Sequence, residues 1–288
     1  MSSGRSRASC SHPSLCGRDT ETDARSTAPC YTPGMTHDAA PEARYQAPPL
    51  AERSQSPKGE ALSLDRRLYG QLQVYTGCAD PGPLADALKA SGLESVLYLD
   101  VNDPRGVGVL VLAEDPAVFP GPFRALLTSP PYSALTHKPD LTMIGRTYAT
   151  GREPDLDFAL LKKPRATALN PEWPWAVWYP LRRKADFAVL PREQQGKILH
   201  EHATIGMAFG AADYAHDVRL ACYGLDRDDN EFVIGLVGRD LHPLSLCVQE
   251  MRKTVQTSKY IKKLGPFFVG KVFWQSPAPA AGGTPGAY

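Results

Sequence analysis

Ser95-Val-Leu-Tyr-Leu-Asp-Val-Asn-Asp-Pro-Arg-Gly-Val-Gly-Val-Leu-Val-Leu-Ala-Glu-Asp115 has a near copy later in the chain, Arg219-Leu-Ala-Cys-Tyr-Gly-Leu-Asp-Arg-Asp-Asp-Asn-Glu-Phe-Val-Ile-Gly-Leu-Val-Gly-Arg-Asp240. Each reads as strand, turn, strand: β-branched and aromatic runs flank a turn of Asn, Asp, Gly or Pro, and an Asp closes the unit ahead of a helix. The closing strands also correspond, Met143-Ile-Gly-Arg-Thr-Tyr148 against Phe268-Val-Gly-Lys-Val-Phe273.

Working outward from these hairpins, each half reads β-α-β-β-α-β. In the first half, a strand near 68–76 leads to a helix near 84–90. The hairpin follows, then a helix near 117–128 and a strand at 141–149. In the second half, 175–182 is a strand and 193–209 a long helix. After the second hairpin come a helix near 241–255, a short piece at 258–262 and a strand at 266–274. This order is the ferredoxin-like split βαβ unit, an α+β arrangement with helices on one face of an antiparallel sheet. The expectation is two tandem ferredoxin-like βαββαβ domains, 64–150 and 172–275, joined by a linker at 151–171, their sheets packed as an α+β barrel.

The flanks are different. Residues 1–62 are rich in Ser, Pro, Ala, Thr, Gly and Arg with almost no periodic apolar positions, and read as a disordered tail; the Pro, Ala and Gly run of 276–288 reads as flexible. The N-terminal stretch has no apolar signal-peptide core. It has the Arg and Ser of an organellar transit peptide, but Asp19, Glu21, Asp23 and Glu42 count against that. Cys10, His12 and Cys16 have metal-ligand character but no second half-site.

The chain has 288 residues, 42% hydrophobic and 22% charged, with a net charge of +1. That balance offers nothing to a polyanion, so nucleic acid is not an expected partner. No apolar run approaches the roughly 18 residues that span a bilayer. Six scattered cysteines form no disulfide framework and fit a reducing, cytoplasmic setting.

One residue of the long helix breaks its pattern. At about 100° per residue from Ile198, Ile205, Phe209 and His202 fall within roughly 40° of it, with Gly206 and Leu199 at the edge of the stripe, while His200 faces away. An imidazole in an apolar stripe needs a partner, since burying it unpaired costs on the order of 1–3 kcal/mol. Two readings stay open: a core histidine bonded to a backbone carbonyl, or a ligand to a metal or haem. Gly206 beside it leaves room for a flat group.

Tyr179-Pro-Leu-Arg-Arg-Lys184, Leu190-Pro-Arg-Glu193 and Ile198-Leu-His-Glu-His-Ala-Thr-Ile-Gly206 resemble, in order and spacing, the haem-binding half of the chlorite dismutase superfamily, which includes the coproheme decarboxylases. Gly224-Leu-Asp226, Glu231-Phe232, Met251-Arg252 and Gly265-Pro-Phe-Phe-Val-Gly270 continue the likeness, which covers about 175–273; the first half matches mainly in layout. The resemblance implies His202 as axial iron ligand to haem b or coproheme. It implies Arg165, Arg183 or Lys184, and Met251 around the porphyrin, with a basic group gripping a propionate. It also implies Tyr179 as a phenol that, when oxidised, takes an electron or hydrogen from a propionate and releases CO2.

The departures from the family pattern lie on both sides of the implied iron. The family's distal residue falls by count on Asp217, while Arg219, two residues on, shares its side of a strand. Arg219 would hold an oxidant's anion there, and Asp217 would repel chlorite. The aromatic before Leu-Pro, commonly Trp, is Phe187. A Glu that buttresses the histidine in many relatives is matched by Val237, which argues against a strongly peroxidase-like iron. The implied activity is peroxide-dependent decarboxylation of coproheme to haem b. The alternatives are a b-type haem enzyme acting on chlorite or peroxide, and a haem carrier, sensor or haem-less scaffold. Relatives assemble as rings, so a homo-oligomer, commonly a pentamer, is implied.

Overall fold

The computed structural model describes residues 46–278. The expected tail through residue 45, with Cys10, His12, Cys16 and Cys30, lies outside the described residues, as do residues 279–288.

The first half supplies β1 (Tyr69–Thr76) and β4 (Met143–Arg146), whose positions alternate between buried and half-buried, and β2 (Ser95–Asp100) and β3 (Val107–Ala113), which are buried nearly throughout. The second half supplies β5 (Trp175–Arg183), β6 (His216–Ala221), β7 (Phe232–Gly238) and β8 (Phe268–Gln275). Each half has the spatial order fourth, first, third, second, all antiparallel. The two sheets are continuous. β2 pairs with β8 (Tyr98↔Val272), and β4 meets β6 at Arg146↔Ala221. Of ten strands in the sheet, Ile261–Leu264 and Thr136–His137 hang on β5 and β1, and the other eight close into a barrel. The α+β expectation holds, and the barrel is a single ring of strands.

Strand alternation sorts the side chains to two faces. Leu72, Val74, Tyr98, Leu110, Trp178, Val218, Leu220, Val233 and Phe268 fill the interior together, so both halves share one core. Gly235 is required there: a Cβ would lie 2.5 Å from the Trp178 ring. The outer faces are covered by α1 (Gly82–Ser91) in the first half and by α2 (Arg192–Ala211) and α3 (Leu241–Met251) in the second. α1 ends where Gly92 takes φ 67°, a left-handed value that suits glycine. No helix among the described residues is long and apolar enough to cross a membrane.

Four segments depart from the sequence reading. Structure begins before residue 62: Glu52–Gln55 and Ala61–Leu64 form a hairpin. Leu62 and Leu64 pack on the interior cluster, and the Glu52 carboxylate accepts from the Ala149 N–H at 3.1 Å. The linker is helical over Phe158–Ala168 and sends Leu156, Leu160, Leu161 and Leu169 into the barrel core. The helix expected near 117–128 is broken into short turns, because Pro122 and a non-helical Gly121 (φ −97°, ψ −111°) interrupt it. The piece at 258–262 is a turn, Gln256–Tyr260, followed by the strand Ile261–Leu264. Cys78, Cys222 and Cys247 are buried free thiols.

Candidate functional site

The long helix α2 follows Leu190-Pro191; Pro191 stands at its N-cap, and the Gln195 amide donates to the Leu190 carbonyl at 2.8 Å. It has 20 residues, yet Ile198 alone is fully buried. His202, Ile205, Gly206 and Phe209 are half-buried towards the barrel, and His200 faces solvent, as the helical spacing requires. Leu199 falls outside the stripe at 38% exposure. A helix that buries so little leaves its inner stripe half-covered, and a further apolar body would fit there.

His202 carries the main observation. Its Nδ1 is buried and has no hydrogen-bond partner. Burial, with the Arg219 charge second, lowers the imidazole pKa below its ordinary 6.5, against the smaller opposing pull of Asp217 and Glu201. Burial thus favours the neutral ring, which carries one N–H and one lone pair. The reading of a core histidine bonded to a carbonyl through Nδ1 is therefore not what the fold provides. A Cβ at Gly206, one turn on, would meet only the Met251 Cε at 3.6 Å, so no crowding demands glycine there.

The opposite wall is the outer face of β5, β6 and β7. Cross-strand register sets Arg219, Ile234 and Tyr179 in one row, and Asp217, Leu236 and Val177 in the next. With strands roughly 4.8 Å apart, the backbones of Arg219 and Tyr179 lie about 10 Å from each other. Both residues weighed for the distal place thus share this face, and they are joined: Arg219 Nε lies 2.8 Å from Asp217 Oδ2.

Tyr179 is buried, its ring stacked on Phe267 at 4.7 Å with 26° between planes. Burial pushes its phenol pKa well above the ordinary 10; Cys247 and Asp217 add to this, and Arg252 opposes it. Arg183 flanks the same sheet. Its Nε lies 2.6 Å from Glu231 Oε2, Nη2 donates to the Tyr223 hydroxyl at 3.3 Å, and the guanidinium lies 4.5 Å from the Phe187 ring centre. Lys184 is exposed, and its N–H donates to the Tyr260 carbonyl at 2.6 Å. Met251, the last residue of α3, closes over Gly206.

Two expected residues are placed elsewhere. Arg165, expected at a propionate, has its guanidinium engaged by first-half carboxylates, Nε to Glu94 at 2.9 Å and Nη2 to Glu114 at 3.2 Å. Val237 points into the barrel core, so it cannot stand behind His202; the residue on the helix-facing side is Leu236, and that place is apolar either way.

Tyr148, just beyond β4 in the first half, was not anticipated. Its ring lies 5.4 Å from Phe232. Burial raises its phenol, and the charges of Arg219, Asp217 and Arg183 all reach it. Only the seam between β4 and β6 brings it there, and no local pattern announces that seam.

Among the described residues no group of three His, Cys, Asp or Glu is arranged to hold a bare metal ion. A single unpartnered imidazole, a glycine beside it and a mixed apolar and basic wall opposite are instead the donor set for a metal carried in a flat macrocycle, and the residues present fit a haem.

The chain is similar to known proteins in part of its sequence and in its fold. Residues 160–273 match the chlorite dismutase family model. A haem-binding protein from Thermus thermophilus superposes with TM-score 0.58 at 19% identity, over 72% of this chain and 91% of that one. The chlorite dismutase of Candidatus Nitrospira defluvii in complex with imidazole gives TM-score 0.53 at 14% identity, over 73% and 92%. At these identities the superpositions show a shared fold. No curated protein sequence matches.

Proposed function

Because residues 160–273 carry the chlorite dismutase relationship, we propose that this chain binds an iron porphyrin through His202 and acts as a haem-dependent oxidoreductase of the coproheme decarboxylase type. The observation that carries this is a largely buried imidazole with an unpartnered Nδ1, within reach of the Arg219 and Asp217 charges on the strand face that also holds Tyr179.

The porphyrin, when bound, supplies the redox chemistry, with peroxide as oxidant. The chain's own residues do the rest. His202 offers an uncharged nitrogen from a helix with space beside it. Tyr179 keeps its phenolic proton at Oη, since burial disfavours the phenolate. It is therefore set to give up a hydrogen atom when oxidised, not to ionise. Arg252 places positive charge near Tyr179, and Arg183, four residues further along β5, is a second basic group where a propionate would be held. Asp217 binds the Arg219 guanidinium and puts a carboxylate beside it, which disfavours chlorite as substrate. The exposed Leu199 and Met207 on α2 leave an apolar outer strip suited to assembly with further copies.

A carrier without turnover is favoured by one observation, the engagement of Arg165 by Glu94 and Glu114 away from this wall. The test is a titration of the purified protein with ferric coproheme and haem b, followed by the Soret band. Saturation at one equivalent, lost in His202→Ala, is expected. An identical shift in the variant, or no saturable shift, sinks the assignment. Binding without any conversion on adding peroxide selects the carrier.

A further inference from the structure

The first half has its own outer sheet face. Gly70 pairs with Gly145 of the closing strand as Ala176 pairs with Gly270 in the second half. Counting along β1 and β5 from that pair, Gln73 stands where Tyr179 stands. In the second half this face is packed with apolar side chains under α3. In the first half, part of it is hollow. An open groove of about 510 Å³ lies between β1 and the broken turns around Gly121. Gln71, Gln73 and Tyr75 line it from the strand, Phe119 and Arg124 from the turns, and His137 from the short strand beside β1. An unbroken helix would cover this face, and Gly121 and Pro122 prevent one.

The polar groups here are arranged with donors left over. His137 Nε2 lies 2.7 Å from Gln73 Oε1, and the Thr142 hydroxyl donates to the same oxygen at 3.2 Å. Gln73 Oε1 accepts from Thr142, His137 Nε2 also lies 3.0 Å from the Thr142 hydroxyl, and the Gln73 NH2 has no side-chain partner among the described residues. Among the described residues, the Gln71 amide and the Arg124 guanidinium have no side-chain partner. Arg124 is exposed at the rim, with Tyr75 and Phe119 as aromatic walls. Donors and a fixed positive charge over aromatic walls select a small planar anion.

We propose that this first-half groove is a second ligand site, taking a small aromatic carboxylate whose ring lies against Tyr75 and Phe119 and whose carboxylate accepts from Arg124 and Gln73. The site is separate from His202 and requires no porphyrin.

The test uses the full chain and the fluorescent aromatic anion 1-anilinonaphthalene-8-sulfonate, displaced by benzoate. One saturable equivalent is expected, weakened about tenfold by Arg124→Ala and by Gln73→Leu, which remove charge-assisted bonds. His202→Ala should leave the probe's affinity unchanged. Circular dichroism melting checks that each variant folds, and because Arg124 is exposed its variant is the safer of the two. The proposal is overturned if the probe does not saturate, if a folded Arg124→Ala binds within about twofold of the parent, or if His202→Ala abolishes binding.

Discussion

Arg219 Nε lies 2.8 Å from Asp217 Oδ2, two residues earlier on the same strand, and both charges act on His202 with opposite sign: Arg219 lowers its pKa and Asp217 raises it. Asp217→Asn should therefore push the His202 pKa further down, and Arg219→Ala should let it rise. Imidazole NMR titration of the porphyrin-free protein reads this directly. Shifts in the same direction for both variants would show that the pair does not face the imidazole. The side chains are about half exposed, so either change should alter global stability by no more than about 1 kcal/mol.

Tyr179→Phe keeps the ring on Phe267 and removes only the hydroxyl. Stability should stay within about 1 kcal/mol of the parent, and coproheme should still bind at one equivalent. Peroxide-driven conversion of the coproheme spectrum should be lost. Conversion at the parent rate would remove Tyr179 from the chemistry.

Acid sensitivity has a definite sign. His202 and His137 both have pKa values lowered below 6.5, in each case first by burial. Below that value the unfolded chain takes up protons that the folded chain refuses, so stability falls as pH drops from about 6.5 towards the folded values. Asp213, Asp228 and Asp103 act later: their lowered pKa values stabilise the fold above 3.8 and are lost only as pH falls below that. Urea midpoints at about pH 7.5 and pH 5.5 should differ in the parent, and the difference should shrink in His202→Gln. An unchanged difference would place the protonation elsewhere.

Arg165 is a structural link on this reading. Its side chain is 17% exposed and ties Glu94 to Glu114. Glu94 Oε1 is already buried without a partner. Arg165→Ala should cost about 1–3 kcal/mol in chemical denaturation, because it leaves carboxylates unpaired. Coproheme affinity should be unchanged; a tenfold loss would return Arg165 to the porphyrin.

The repeat was readable because hairpin turns and strand alternation are local: Gly224 to Asn230 and Asn102 to Gly106 mark their turns in the chain itself. The spacing of α2 likewise placed His202 inward and His200 outward. What escaped depends on contacts between distant segments. The hairpin at 52–64 offers only Leu62 and Leu64 as apolar anchors, and its partners Arg146 and Ala149 lie some ninety residues on. The interval from Arg165 to Tyr179 says nothing about Glu94 and Glu114. A shift of one residue at Val237 exchanges the core face for the helix face, as a period of two must.

Gly206 allows a separation of fold from binding. In a helix interior glycine is worse than alanine by roughly 0.5–1 kcal/mol, so it persists at a price unless its size serves something. Here a Cβ would have only Met251 Cε, at 3.6 Å, for company. Gly206→Ala should raise stability by about that amount. Gly206→Leu should also fold, because the position is half-buried and uncrowded, yet its side chain would occupy the space beside His202. Porphyrin titration of this variant should show at least a tenfold weaker Soret response, with an unchanged far-ultraviolet spectrum. Parent-like affinity in Gly206→Leu would mean that the flat group does not lie along this face of α2. The unpartnered Nδ1 of His202 would then need another explanation.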